Sequence, residues 1–380
     1  MSDILSLFPE TYETSRERFR EDLALIQKYW PKAQLSQHKI AGDEDLTIDW
    51  VQSGALEANE KVFILTTAEH GVEGYVGSAI QQHFIDKQLA RLDPRTTGLL
   101  LVHSINPWGM KYHRRVNPHN VDLNRTFVWN NSFDKSTNPD YDKLLDIIRA
   151  DRPFKNLVSS NLGYYLKLLQ KALQMGWPAF KTAFLLGQYR NADGLFYGGE
   201  GYQEETKVLI DLYRRAFSAY DQILHLDMHT GYGPRYQMSI VNSVHEKRSS
   251  QEFVEKFNYP LVVAANPQEF YAIQGDMIDY IYEMWEHEFS EKKLYATAFE
   301  FGTYGDKFKG KVGMPRAMSF ENRLYWQGTD NEKLAAKVKY DFEELFNPSA
   351  TEWKAKAIQD ADQAFTGILE AEGYFKLETD

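Results

Sequence analysis

The chain has 380 residues, 43% of them apolar and 26% charged, an ordinary balance for a globular protein with a sizeable core and one that argues against disorder. Its net charge of −11, with no dense lysine and arginine stretch to offset it, argues against nucleic acid as a partner. With no cysteine there is no disulfide framework and no thiolate ligand, so any metal must be held by His, Asp or Glu.

The first residues, MSDILSLFPETYETSRERFREDL, lack the basic-then-apolar order of a secretory signal. No later apolar run approaches a membrane span, so a cytoplasmic protein without a membrane partner is expected. From Thr14 to about Tyr29 the apolar residues Phe19, Leu23 and Ile26 recur at helical spacing. Leu46–Trp50 alternates before a break at Gly54, and Val62–Thr66 is a continuous apolar run of the kind that forms a buried strand. A loop at Ala68–Gly71 precedes a predicted helix over Tyr75–Ile85, so His70 and Glu73 fall where a strand gives way to a helix, the usual place for sites in open α/β sheets. Leu99–His103 reads as another buried strand, ending at Asn106-Pro107. Between Trp129 and about Leu224 no strand alternation is visible. Helical patterning near 141–149, 164–175 and 204–217 there predicts a helical insertion over about residues 130–222, whose turn-rich middle (Gly187 to Gly201) suits a pocket rim. His225–Met228 and Tyr295–Phe299 are shorter candidate strands, and the region from about 331 to 377 is helical in pattern. The expectation is one α/β domain over residues 1–380, without internal repeats.

His70-Gly-Val-Glu73 offers an imidazole and a carboxylate three positions apart, which a strand-to-helix turn can aim at one ion. With ten histidines in the chain, one such pair is expected by chance. A catalytic zinc needs a third protein ligand and an open position for water; His229, closing Leu226-Asp-Met-His-Thr-Gly231, meets that need, although a lone strand-end histidine is more often simply packed.

The weighting changes with Asn106-Pro-Trp-Gly109 and Arg114-Arg-Val-Asn-Pro-His-Asn-Val-Asp-Leu-Asn-Arg-Thr-Phe127. Here the chain resembles the zinc carboxypeptidase family and its aspartoacylase and succinylglutamate desuccinylase relatives. The shared order is His-x-x-Glu, Asn-Pro-x-Gly, Arg, Asp-x-Asn-Arg, His and a late Glu, and it spans about residues 60–305. The chain looks closest to a bacterial branch marked by Val-Asp-Leu-Asn-Arg, Asp-x-His-Thr-Gly and Glu-Phe-Gly-Thr. The resemblance implies a mixed, mostly parallel central sheet flanked by helices, and one Zn2+ per chain on His70, Glu73 and His229. It implies that Asp122 orients His70 from the far nitrogen. Asn124 and Arg125 would grip a substrate carboxylate, and Arg115, beside Arg114, would stabilise the oxyanion. Glu300, between Phe299 and Phe301, would be the general base, its proton affinity raised by partial desolvation. Tyr271-Ala-Ile-Gln-Gly275 continuing to Ile278-Asp279 resembles a further family pattern, making Tyr271 a phenol that closes over substrate and Ile278 the base of a pocket for apolar or uncharged side chains. Two departures stand out. Val72 replaces the arginine that many digestive members carry between the first two ligands, and the insertion is longer than a minimal carboxypeptidase needs.

The activity so implied is hydrolysis of an amide bond next to a free carboxylate, on a small peptide. The first alternative is an N-acyl amino acid deacylase of the aspartoacylase type; the second is a carboxylate-binding module without catalysis. Nothing in the sequence speaks to oligomeric state.

Overall fold

The continuous apolar runs become the middle of a sheet. In the computed structural model, which describes residues 2–42, 44–149, 152–271, 273–305 and 307–376, the strands are β1 (Gln34–Lys39), β2 (Thr47–Ser53), β3 (Lys61–Thr67), β4 (Thr97–His103), β5 (Gln222–Gly231), β6 (Met238–Asn242), β7 (Val262–Ala264) and β8 (Lys293–Gly302). They form one eight-stranded sheet in the order β1-β2-β4-β3-β5-β8-β6-β7. Four of the seven neighbouring pairs are parallel and three antiparallel, so the sheet is mixed and its central strands β4, β3, β5 and β8 run parallel. The expected strands at 46–50, 62–66, 99–103, 225–228 and 295–299 lie within or across β2, β3, β4, β5 and β8.

The helices of eight or more residues are α1 (Tyr12–Glu21), α2 (Gly74–Lys87), α3 (Leu157–Met175), α4 (Trp177–Leu185), α5 (Glu204–Ala219), α6 (Ser250–Phe257), α7 (Met277–Glu288), α8 (Phe308–Gln327), α9 (Glu332–Phe346) and α10 (Thr351–Ala371). Strand alternation sends successive side chains to opposite faces of the sheet. Phe63, Leu65, Leu99, Leu101, Leu224 and Leu226 pack with Val76, Ile80 and Phe84 of α2 and with Trp353 and Phe365 of α10. Val62, Ile64, Leu100, Val102 and Ile223 pack on the other side with Leu209, Tyr213 and Phe217 of α5 and Ile281 of α7. Both faces are covered, which is why these strands read as unbroken apolar runs.

Two expected helices differ. The amino-terminal one opens at Thr11, whose side chain completes a capping box with Thr14, and breaks at Asp22 before a single further turn, Leu23–Ile26. The segment 141–149 begins in a tight 3-10 turn, Pro139–Leu144, because Asn138 is left-handed (φ 58°) and Pro139 follows it; only Leu145–Ile148 is α-helical. Leu377, the last residue of the expected carboxy-terminal helical region, lies outside the described residues. No helix of the described residues is long and apolar enough to cross a membrane.

β3 neighbours β4 on one side and β5 on the other, and the chain leaves β3 toward β4 before returning to β5. Such a switch point opens a crevice at the carboxyl ends of the strands. The sequence-predicted site residues gather there.

Candidate metal centre

β3 ends at Thr67, and Ala68 takes a left-handed conformation (φ 61°) that swings Glu69 and His70 across the end of the sheet. His70 then opens a short 3-10 turn, Gly71–Glu73, leading into α2. The Asn-Pro-x-Gly turn has a structural role here. Asn106 Oδ1 accepts from Gly109 N at 2.8 Å, and the Gly71 and Val72 amides donate to the Arg115 and Arg114 carbonyls at 3.1 and 2.9 Å. A Cβ on Gly71 would stand 2.1 Å from the Gly109 carbonyl carbon, so only glycine allows this approach. His229 and Glu300 come from the ends of β5 and β8, where they are directly paired across the sheet.

Two imidazole nitrogens and the two oxygens of one carboxylate converge. His70 Nδ1 lies 3.0 Å from Glu73 Oε1, His229 Nδ1 lies 3.4 Å from Glu73 Oε2, and the two Nδ1 atoms are 3.2 Å apart. A tetrahedral ion with bonds of about 2.0–2.1 Å has ligand-to-ligand edges of about 3.3 Å, and each of these separations is of that size. The far nitrogens are both backed by carboxylates. His70 Nε2 is 3.0 Å from Asp122 Oδ1, and His229 Nε2 is 2.5 Å from Asp227 Oδ2. That pairing leaves each Nδ1 lone pair facing the centre. Glu69, His70 and His229 also offer donor atoms within 4.8 Å of one another. Glu69, however, approaches His229 at Nε2 (3.4 Å), the nitrogen already facing Asp227, so Glu73 is the better third donor. The donor set and its spacing fit a divalent metal ion.

Charge is concentrated around this point. Arg115 donates to Glu73 Oε1 at 2.6 Å and to Asp122 Oδ2 at 3.1 Å, and Thr230 N donates to Glu73 Oε2 at 2.8 Å. Burial pushes the Glu73 carboxyl up, but His70, His229 and Arg115 outweigh it and hold the group below the usual carboxylate range. Asp122 is likewise held down against burial by Arg115, His70 and Arg125. Glu300 behaves in the opposite way: buried, beside the charge of Glu73, and with one hydrogen bond to its Oε1 from Tyr232 N (2.8 Å), its carboxyl is pushed up to about 8. Glu69 is fully buried with neither oxygen hydrogen-bonded among the described residues, and burial pushes it up as well.

The cleft over these groups is lined by Arg115, Asn124, Tyr271, Ile278 and Glu300, together with Leu185 and Phe196 from the segment between Trp129 and β5. Tyr271 stacks on Phe270 and meets Tyr232 edge-on. Asn124 lines the cleft, but its side chain is occupied, donating to Asp276 Oδ2 at 3.0 Å and accepting from Met277 N at 2.9 Å. Arg125 is placed differently from the sequence expectation. It is fully buried, and its Nη1 and Nη2 donate to the Asn124 and Leu185 carbonyls, both at 2.7 Å, so its guanidinium lies behind the cleft wall rather than on it. Arg114 turns away to form a two-bond pair with Glu321.

Sequence reasoning overlooked Asp227, Glu69 and Asp276. The first had a signal: in Asp-x-His on a strand, residues two apart share a face, so the carboxylate must stand beside the imidazole. Glu69 and Asp276 had none, since their positions depend on the Ala68 bend and on the loop before α7.

Among solved structures, the chain is similar to carboxypeptidase A from Helicoverpa armigera (15% identity, 83% of this chain and 71% of that one, TM-score 0.44). It is similar to bovine thrombin-activatable fibrinolysis inhibitor (14% identity, 88% and 97%, TM-score 0.45). A succinylglutamate desuccinylase from Silicibacter sp. TM1040 is also similar (14% identity, 78% and 67%, TM-score 0.38). No curated protein matches. Residues 8–360 match the family described as "Protein of unknown function (DUF2817)", and the chain belongs to that family.

Proposed function

We propose that this protein is a metal-dependent amidohydrolase of the carboxypeptidase type, cleaving an amide bond next to a free carboxylate, with the whole chain serving as one catalytic unit. The observation that carries the reading is the convergence of His70 Nδ1, Glu73 and His229 Nδ1 at 3.0–3.4 Å, with a carboxylate behind each imidazole. These three residues would hold the ion, zinc by donor type, and when bound it would supply Lewis-acid polarisation of the scissile carbonyl and a more acidic attacking water.

The chain's own groups do the rest. Glu300, desolvated and held by Tyr232 N, takes a proton from the attacking water and returns it to the leaving amine nitrogen. Arg115, at the cleft wall with Asp122 fixing its Nε, presents positive charge where the carbonyl oxygen becomes an oxyanion. Arg125 contributes its charge from behind the wall to the pocket that receives the substrate carboxylate, with Asn124 in front of it. Tyr271 covers bound substrate, and Ile278 makes the pocket apolar at that side.

One observation favours small substrates: Leu185 and Phe196, from the segment between Trp129 and β5, wall the cleft. An N-acyl amino acid deacylase is therefore the second reading. Assaying metal-loaded protein on free-acid dipeptides, their C-terminal amides and N-acyl amino acids separates the two. Turnover of the free acids and none of the amides is expected. Absence of hydrolysis across the panel, with carboxylates still bound, would replace the proposal by a binding module.

A further inference from the structure

Helix α3 carries a face that nothing among the described residues covers. Its inner side is anchored, with Tyr164 and Leu168 buried among Phe154, Phe180 and Phe320. Its outer side presents Val158 (77% exposed), Leu162 (63%), Leu166 (59%), Leu169 (58%) and Leu173 (76%), with Tyr165 beside them. A surface helix ordinarily turns such residues inward and points charge at water. Here both faces are apolar. Val158, Leu162, Tyr165 and Leu169 follow four-three-four spacing, the seam of helices that pack lengthwise, and Leu166 and Leu173 broaden it.

We infer that α3 is a homodimer interface, in which the stripe of one copy packs against the same stripe of a second across a two-fold axis. Two features favour a second copy as the occupant. The first is area. The exposed fractions leave roughly 600 Å² of mainly apolar surface on each copy, so a pair buries roughly 1,200 Å² in total, above the ~1,000 Å² that a specific interface needs. The second is charge. The chain carries −11, so copies repel in general, but the stripe is flanked by Ser159, Ser160, Asn161, Gln170 and Gln174, and a self-match there brings no like charges together. The two lysines of the helix are already paired: Lys167 and Lys171 reach Asp146 at 3.9 and 3.0 Å. That removes the free basic rim with which an amphipathic helix holds an anionic membrane.

The test uses the full-length chain and reads its mass by sedimentation velocity and light scattering up to about 100 µM. The expected value is twice 44.1 kDa, falling to 44.1 kDa in the double variant Leu162→Glu, Leu169→Glu with an unchanged circular-dichroism melt. Because the chain has no cysteine, Leu166→Cys supplies a single thiol near the middle of the stripe, and mild oxidation should convert most of that variant into a covalent pair. Wild-type mass of 44.1 kDa at every concentration overturns the inference, as does a double variant that stays dimeric. Monomeric protein that cosediments with phosphatidylcholine vesicles overturns it in favour of a lipid surface.

Discussion

Asp227→Asn isolates the carboxylate behind His229. In the folded chain Asp227 Oδ1 accepts from Thr66 Oγ1 at 2.5 Å while Oδ2 faces His229 Nε2 at 2.5 Å. The amide has the same shape and keeps the Thr66 bond through its oxygen, which places its NH2 against Nε2. When Nδ1 binds a metal, Nε2 carries the proton, so two donors would confront each other. Loss of such an outer partner typically costs 10- to 100-fold in metal affinity, or about 1.4–2.8 kcal/mol. Stability of the metal-free protein should fall as well. Against the effect of burial, the Asp227 charge holds the His229 imidazole well above its usual proton affinity, and losing one partner of that buried pair outweighs the repulsion relieved on Glu69. Zinc affinity by chelator competition and the melting temperature of the metal-free protein should therefore both decline. Affinity within twofold of wild type would refute the role assigned to the Asp227–His229 contact.

Glu300→Gln keeps the shape of the proposed base without its proton affinity, so turnover should fall about 10²- to 10⁴-fold while metal content, read by mass spectrometry, stays at the wild-type level. His229→Ala should lower metal stoichiometry, since it removes one of the three converging donors. His103 is buried, and burial with the nearby Arg18 and Arg16 pushes its pKa down to about 3. The folded value lies below the unfolded one of about 6.5, so only the unfolded chain gains a proton between them and stability falls on acidification; from neutral to pH 5 this group removes about 2 kcal/mol, and His103→Leu should flatten that limb in denaturant titrations. Gly71→Ala drives a methyl into the Gly109 backbone and should cost about 3 kcal/mol, seen as a lowered melting temperature together with lost metal binding.

How much could be read beforehand follows from what each residue depends on. β3, β4 and β5 were visible because both of their faces are buried, which leaves only apolar residues to choose from. β1, with the sequence Gln-Leu-Ser-Gln-His-Lys, was not visible: it is an edge strand of half-exposed residues, held by pairing to β2 rather than by burial. β7 is three residues long and has too little pattern to read. The segment 129–222 showed helical periodicity, but periodicity finds an apolar face without saying what covers it, and α3 has an apolar face on each side. The site divides along the same line. His229 and Glu300 sit at the ends of β5 and β8, and His70 and Glu73 on the turn that leads from β3 into α2, so all four are brought to one end of the sheet once the strands are placed. Arg125 does not. Its direction is decided by the Leu185 carbonyl at the end of α4, sixty residues later, and by Gly187, where a Cβ would stand 2.5 Å from Arg125 Cδ. A motif carries the identity of a side chain along with its backbone, but the neighbour that claims its hydrogen bonds can come from a segment the motif does not include. In this chain that segment supplies both the carbonyl that holds Arg125 behind the wall and the Leu185 and Phe196 side chains on the wall. If the proposed amidohydrolase reading holds, substrate choice would be set by residues 129–222 more than by the Asp-x-Asn-Arg motif, and exchanging Leu185 or Phe196 for smaller residues should alter which amides are cleaved before it alters the rate on the best one.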